Sequence, residues 1–580
     1  MSSDGSAAER RRRILTRAAP LVVIATLAFA GGIVIAGGPD APAAQRFVDA
    51  WERGDIAAMY AELTPEAQAE YSLERFRRTY DDATITATIA ELSTGEVSEQ
   101  GDAAVTAVRL RTLIFGELGG EVAVPISDDM VAWTPNLVYP GLASDEHLSR
   151  RTRAPARAAI LATDRTPLAE GPAAARTVGT AALAVVGEVG TPTGAQQREL
   201  AVHGFPPGSL TGISGLELAY NQRLAGQPGG QLLAVSAGDE SQVGGGRILA
   251  TTQPVRGKAV RTTIDPDVQE SAVTALGSTY GGAAVLDAKT GSVLGLSGLA
   301  YSAPQPPGST FKIITATGAL DAGIVKLSDE FPVESSNSEI GREIPNAHDE
   351  LCGGSFATAF AESCNTVFAP LGARLGGEKL VETAELYGFN SPPELFDPAT
   401  TAIVDPASST IPATLSESVE TGESAIGQGR VLATPLEMAS ASQTIANKGV
   451  RMPNAIAHGE GLVPTAPPVK VTTPQTAATM TQLMIGVVNE GTGVAAALPG
   501  IQVAGKTGTA ELGPAALEPG QELGPGEEPP QDTDAWFTAF APAGDPEIAV
   551  AVMVVNSDGD GGTVAAPIVR QIMADYFNVA

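Results

Sequence analysis

The 580-residue chain carries 36 basic against 66 acidic residues, a formal net charge of −30. Such an acidic balance argues against nucleic acid as a partner and predicts a well-solvated surface. Apolar residues make up 43% of the chain, enough to build several packed domains, so any disorder should be local.

Ala18 to Gly38 is a long charge-free stretch with Leu21-Val22-Val23-Ile24-Ala25 at its densest part. As a helix it reaches about 32 Å, enough to span a bilayer. Arg10, Arg11, Arg12, Arg13 and Arg17 precede it and no basic cluster follows at once, which predicts a cytoplasmic tail (1–17), a transmembrane anchor (18–38) and an exported remainder. A cleaved signal peptide ending at Ala41-Pro42-Ala43 is the competing reading, and the length of the apolar run favours the anchor. A lipoprotein is excluded because no cysteine precedes Cys352.

Phe47, Val48, Trp51, Ile56, Met59, Tyr60 and Leu63 recur at helical spacing, predicting amphipathic helices to about Ala83. Alternation at Ile85, Ala87 and Ile89, at Val108, Leu110, Thr112 and Ile114, and at Val122, Val124 and Ile126 then predicts antiparallel strands. This order, with Trp133-Thr134-Pro135-Asn136-Leu137-Val138-Tyr139-Pro140-Gly141-Leu142 closing it, resembles a nuclear-transport-factor-like domain over 41–148. In some penicillin-binding proteins that domain serves as a pedestal.

Arg153-Ala154-Pro155-Ala156-Arg157, Ile160, Asp164-Arg165 and Leu168-Ala169 follow, and later Gly212-Ile213-Ser214-Gly215-Leu216-Glu217 with Tyr220, Leu224 and Gly226. These residues resemble the dimerisation module of class B penicillin-binding proteins, expected over 149–258. Arg157-Ala158 and Thr166-Pro167 depart from its pattern of Arg-Gly and Asn-Gly. No chemistry is assigned here, and a buried Glu217 would need a partner.

From 259 to 580 the chain carries its chemistry. Thr262 to Gln269 reads as a short strand, a turn and a helix capped by Asp265; Ala283 to Asp287 and Val293 to Leu296 read as a hairpin. Then come Ser309-Thr310-Phe311-Lys312, Ser363-Cys364-Asn365 and Lys506-Thr507-Gly508-Thr509, in that order. Of the lysines at 258, 289, 312, 326, 379, 448, 470 and 506, only Lys312 has a serine three residues before it. The Pro306-Pro307-Gly308 turn feeds Ser309 into an apolar helical run, where unpaired backbone N–H groups favour anionic character. Lys312 lies one turn on, within reach of the Ser309 hydroxyl, and must be neutral to act as a base, which burial beside Lys506 would achieve.

Together these motifs resemble the penicillin-binding transpeptidase domain. Gly427-Gln428-Gly429, Thr434-Pro435-Leu436, Ala446-Asn447-Lys448-Gly449, Gly491-Thr492-Gly493 and the strand Asp534 to Pro542 extend the resemblance, with Asp534 standing where the family has histidine. The resemblance implies an α+β, multidomain fold whose catalytic domain sets a five-stranded antiparallel sheet against a helical lobe. It implies Ser309 as nucleophile, Lys312 as base, Ser363 as proton relay and Asn365 as orienter of the lysine and the substrate amide. Lys506 and Thr507 would bind the substrate carboxylate, Gly508 would allow its close approach, and the Thr509 and Ser309 N–H groups would form an oxyanion hole. The implied reaction is peptidoglycan D,D-transpeptidation, with stem peptides and β-lactams as ligands, the membrane held through one helix, and a cell-wall glycosyltransferase as candidate partner. No cofactor or metal is expected: the histidines are scattered and no Walker-type loop occurs.

A non-catalytic penicillin-binding sensor or scaffold is the alternative, and a β-lactamase the weakest, because no Glu between Ser363 and Lys506 has Asn four residues on. Cys352 and Cys364 are either a disulfide or two small buried thiols, for spacing cannot decide whether their Cβ atoms meet. Glu511 to Thr533, rich in Pro, Gly and Glu, reads as an inserted loop beside the substrate strand.

Overall fold

The computed structural model describes residues 42–236, 245–459, 462–514 and 531–579. The expected cytoplasmic tail (1–17) and anchor (18–38), Ala41 of the alternative cleavage site Ala41-Pro42-Ala43, and the middle of the 511–533 insertion lie outside these residues. Among the described residues no helix is long and apolar enough to cross a membrane. The chain divides into two compact units.

One unit takes in the chain up to Arg157 together with Thr191–Thr211 and Ala225–Lys258. Helices Ala43–Glu52, Ile56–Ala61, Pro65–Glu70 and Leu73–Ala87 precede an antiparallel sheet of Ile89–Thr94, Ala103–Thr112, Glu117–Ser127 and Met130–Val131. Asp55, Thr64 and Ser72 each accept a backbone N–H at a helix start, which stops the chain fraying there. The core is aromatic: Phe47, Trp51, Phe76, Tyr80 and Trp133 are buried together, and the Trp133 indole donates to the Tyr80 hydroxyl at 3.1 Å. Ile85 and Ala87 belong to the last turn of a helix, not to a strand as their alternation suggests. That helix buries Phe76, Tyr80, Ala83 and Ala87 at helical spacing and ends where Thr88 turns left-handed (φ 55°), so a stretch of three alternating residues is overridden.

The other unit holds Ala158–Gly190, Gly212–Leu224 and Ala259–Ala580. Its first sheet joins Ile160–Leu161, Pro167–Glu170 and Thr177–Val178 to Val260–Thr262 and Ala457–His458. The expected partner of Glu217 is Arg176, which donates to it at 2.7 Å in a nearly inaccessible pair. Arg176 also donates to the Ala158 carbonyl at 2.8 Å, so neither charge is left uncompensated.

The five-stranded antiparallel sheet runs Val293–Gly298, Gly281–Asp287, Ile548–Ser557, Gln531–Ala541, Ala504–Pro514. Alternation sorts its residues. Ala283, Val285, Phe537, Val550 and Val552 pack with helices Pro266–Leu276 and Ala566–Phe577. Ala284, Leu286, Trp536, Phe540, Ala551 and Met553 face the opposite side, in one core with helices Lys312–Asp321, Asn365–Leu375, Pro435–Ala446 and Pro474–Asn489. Each fully buried Val or Ile contributes about 1.5 to 3 kcal/mol relative to exposure, so a sheet covered on both faces holds its edge strand rigidly. The ladder between the last two strands reaches Glu511↔Thr533 and Pro514↔Gln531, so the flanks of the insertion are strand rather than loop.

Candidate active site

Ser309 lies in a 3₁₀ turn, Gly308–Phe311, that runs directly into the helix Lys312–Asp321. Gly308 is left-handed (φ +53°), and a Cβ there would meet the Thr509 carbonyl at 2.5 Å. A Cβ on Gly508 would likewise meet the Pro307 carbonyl at 2.5 Å. Only glycine permits this approach, which sets the backbone N–H groups of Ser309 and Thr509 on adjoining segments. The Gln428 amide donates to the Thr509 carbonyl at 3.4 Å and the Gly561 N–H to the Thr509 hydroxyl at 3.3 Å, fixing the strand there.

Lys312 is fully buried. Its Nζ donates to the Ser363 carbonyl and to Asn365 Oδ1, each at 2.7 Å, and lies 3.3 Å from Ser363 Oγ. Among the described residues no hydrogen bond joins it to Ser309; two carbonyl-type oxygens at short range engage it instead. Burial, and then the nearby Lys506, hold its pKa well below the usual lysine value. A neutral amine has two N–H groups and one lone pair. In that neutral form, with both N–H groups on the Ser363 carbonyl and Asn365 Oδ1, the lone pair is left for a hydroxyl, and the hydroxyl in contact is that of Ser363 at 3.3 Å.

Lys506, in the edge strand, is also fully buried. It donates to Ser363 Oγ at 2.8 Å and to the Thr507 carbonyl at 3.2 Å, with Thr507 Oγ1 at 3.4 Å. Desolvation lowers its pKa to about 7, against an opposing pull from Glu362. Ser363 therefore stands between two lysines. It is held there with φ +64°, a strained setting for serine, in the turn just before the helix Asn365–Leu375.

A disulfide joins Cys352 to Cys364, with Cα atoms 5.4 Å apart. Cys364 is fully buried, so the residue inside the middle motif is a tether, not a nucleophile. Asn365 is pinned from its other side, where its amide donates to the Pro345 carbonyl at 3.1 Å. Asn346 then accepts the Thr366 N–H at 3.0 Å and donates to the Glu334 and Glu350 carbonyls. Sequence reasoning missed this support, because a backbone carbonyl leaves no mark in residue type.

Three separated motifs thus meet at one hydrogen-bonded cluster. The family model of the penicillin-binding protein transpeptidase domain matches residues 281–574, and that of the penicillin-binding protein dimerisation domain matches 174–262. The chain belongs to the class B penicillin-binding proteins.

The chain is similar to the peptidoglycan D,D-transpeptidase PbpA of Mycolicibacterium smegmatis, with 33% identity over 410 residues, covering 59% of this chain and 77% of that protein. It is also similar to PbpA of Mycobacterium tuberculosis, at 32% over 393 residues, covering 57% and 75%. Among solved structures, penicillin-binding protein A from M. tuberculosis as a penicillin G acyl-enzyme aligns with a TM-score of 0.54 and 27% identity, over 73% of this chain and all of that one.

This penicillin-binding protein carries Asp534 beside the edge strand, paired with Ala510. The Asp534 side chain is buried; Oδ1 accepts the Asn556 N–H at 3.1 Å, while Oδ2 has no partner among the described residues. Burial raises its pKa to about 6.

Proposed function

We propose that the chain cross-links peptidoglycan stem peptides through an acyl-enzyme on Ser309. It is a serine-type D,D-transpeptidase, and the observation that carries the assignment of roles is the pair of lysines converging on Ser363, with Lys312 also on Asn365.

In this reading neutral Lys312 takes the Ser309 proton as the oxygen attacks the carbonyl of the penultimate D-alanine. The Ser309 and Thr509 N–H groups hold the oxyanion, a contribution of about 3 to 4 kcal/mol per donor in comparable sites. Ser363 relays a proton to the departing amine, so that D-alanine leaves. An amine from a neighbouring stem then attacks the ester, loses its proton along the same relay, and returns Ser309 to the hydroxyl form. Asn365 holds Lys312 and the substrate amide, Gly508 lets the substrate lie close, and Lys506 with Thr507 binds the terminal carboxylate. A β-lactam enters the same path but has no leaving group to release, so its adduct persists.

The domain limits expected from sequence, 41–148 for a nuclear-transport-factor-like pedestal, 149–258 for the dimerisation module and 259–580 for the transpeptidase, complete the proposal. Helices followed by an antiparallel sheet support the first of these. The charge-free run 18–38 behind an arginine cluster supports a single-pass protein with a cytoplasmic N-terminus and the catalytic domain outside, where a glycosyltransferase would supply strands.

The test is a reaction with a D-Ala-D-Ala stem peptide and an amine acceptor. Equal amounts of free D-alanine and cross-linked product support transpeptidation; acylation by benzylpenicillin with no D-alanine released from the peptide would leave only a sensor.

A further inference from the structure

The segment Gly491-Thr492-Gly493 takes no part in the roles above, yet it is packed tightly. A Cβ on Gly491 would collide with the Ala361 carbonyl, and one on Gly493 would meet the Phe537 ring at 2.9 Å. The backbone is thereby let in close, and Thr492 reaches both the segment before Ser363 and the Lys506-Thr507 strand. Its N–H donates to the Ala361 carbonyl at 3.2 Å. Its hydroxyl lies 2.6 Å from the Thr507 hydroxyl and 3.3 Å from the Ala361 carbonyl.

A threonine hydroxyl has one proton and two acceptor sites. The 2.6 Å contact to Thr507 holds one proton, from either hydroxyl; because the Ala361 carbonyl already accepts the Thr492 N–H, the Thr492 proton can leave that carbonyl for Thr507 when an anion occupies the cleft. Thr507 also receives Lys506 Nζ at 3.4 Å. Both acceptor sites of Thr507 are then filled, and its own proton has only the cleft to point to. The reverse order, Thr507 to Thr492 to the Ala361 carbonyl, would present lone pairs to the cleft and repel an anion.

We infer that Thr492 is a positioning residue that turns the Thr507 hydroxyl proton toward the substrate carboxylate, and so makes acylation selective for acids over their neutral analogues. This rests on the reading of Lys506 and Thr507 as the carboxylate site.

The experiment compares second-order acylation rates with benzylpenicillin and with its methyl ester. Wild type should prefer the acid. Thr492→Val should lose about tenfold toward the acid and less than about twofold toward the ester, with its melting temperature kept, and Thr492→Ser should restore the acid rate. An equal loss with both ligands, or no loss with either, overturns the role of Thr492 alone. A wild type indifferent to the carboxylate overturns the carboxylate site and this inference with it.

Discussion

Lys506 Nζ donates to Ser363 Oγ at 2.8 Å, tying the edge strand Ala504–Pro514 to the turn that opens the helix Asn365–Leu375. Ser363 Oγ is also 3.3 Å from Lys312 Nζ, so one hydroxyl touches both lysines and can pass a proton between them. The three motifs are a single proton network rather than three adjacent features.

Replacing Lys312 by methionine keeps the length of the side chain and removes the base. Acylation by a fluorescent penicillin should fall by about 10² to 10⁴-fold, the range for loss of a general base. Unchanged acylation would remove Lys312 from that role.

The buried Lys506 carries a pH signature. Its folded pKa, about 7, is below its unfolded value, so between the two the unfolded chain binds more protons and stability rises with pH. Denaturant unfolding of wild type against Lys506→Met should show wild type gaining about 2 kcal/mol on the variant between about pH 7 and pH 9. A flat difference would mean that Lys506 is not desolvated.

Much of this site was readable in the sequence, because the chemistry proposed for it demands particular side-chain types, and Lys312, Ser363, Asn365, Lys506 and Thr507, named from their motifs, lie in one hydrogen-bonded cluster. The hairpin of the catalytic sheet and the Asp265 cap were readable too, as local patterns that agree with the fold. What escaped depends on tertiary approach: the carbonyl of Pro345 behind Asn365, the Thr492–Thr507 contact, and the meeting of Cys352 with Cys364. At Ile85 and Ala87 a local strand-like pattern lost to a capped helix with its own buried face.

The disulfide closes a short loop with a sequence separation of 12. Restricting that loop in the unfolded chain is worth about 3 kcal/mol. Chemical denaturation of the Cys352→Ala, Cys364→Ala double variant should show a loss of that size, and a loss below about 1 kcal/mol would leave the bridge without a stabilising role.

Asp534 has the opposite sign to Lys506. Its folded pKa of about 6 lies above the ordinary value of 3.8, so stability falls as pH rises between them and the cost is complete above the folded pKa. Relative to Asp534→Asn, wild type should lose about 1 to 2 kcal/mol between about pH 4 and pH 7, read from paired denaturation curves, the full shift being discounted for partial solvation of the carboxyl. A difference independent of pH would place the carboxyl in contact with water.

The proposed function requires that Ser309 form a lasting acyl-enzyme with a β-lactam. Intact-mass analysis after incubation with benzylpenicillin, followed by peptide mapping, tests it most directly. One adduct per chain is expected, on the Ser309 peptide, persisting for hours and absent in Ser309→Ala. An adduct on another residue, or one hydrolysed within seconds, would contradict the proposed function.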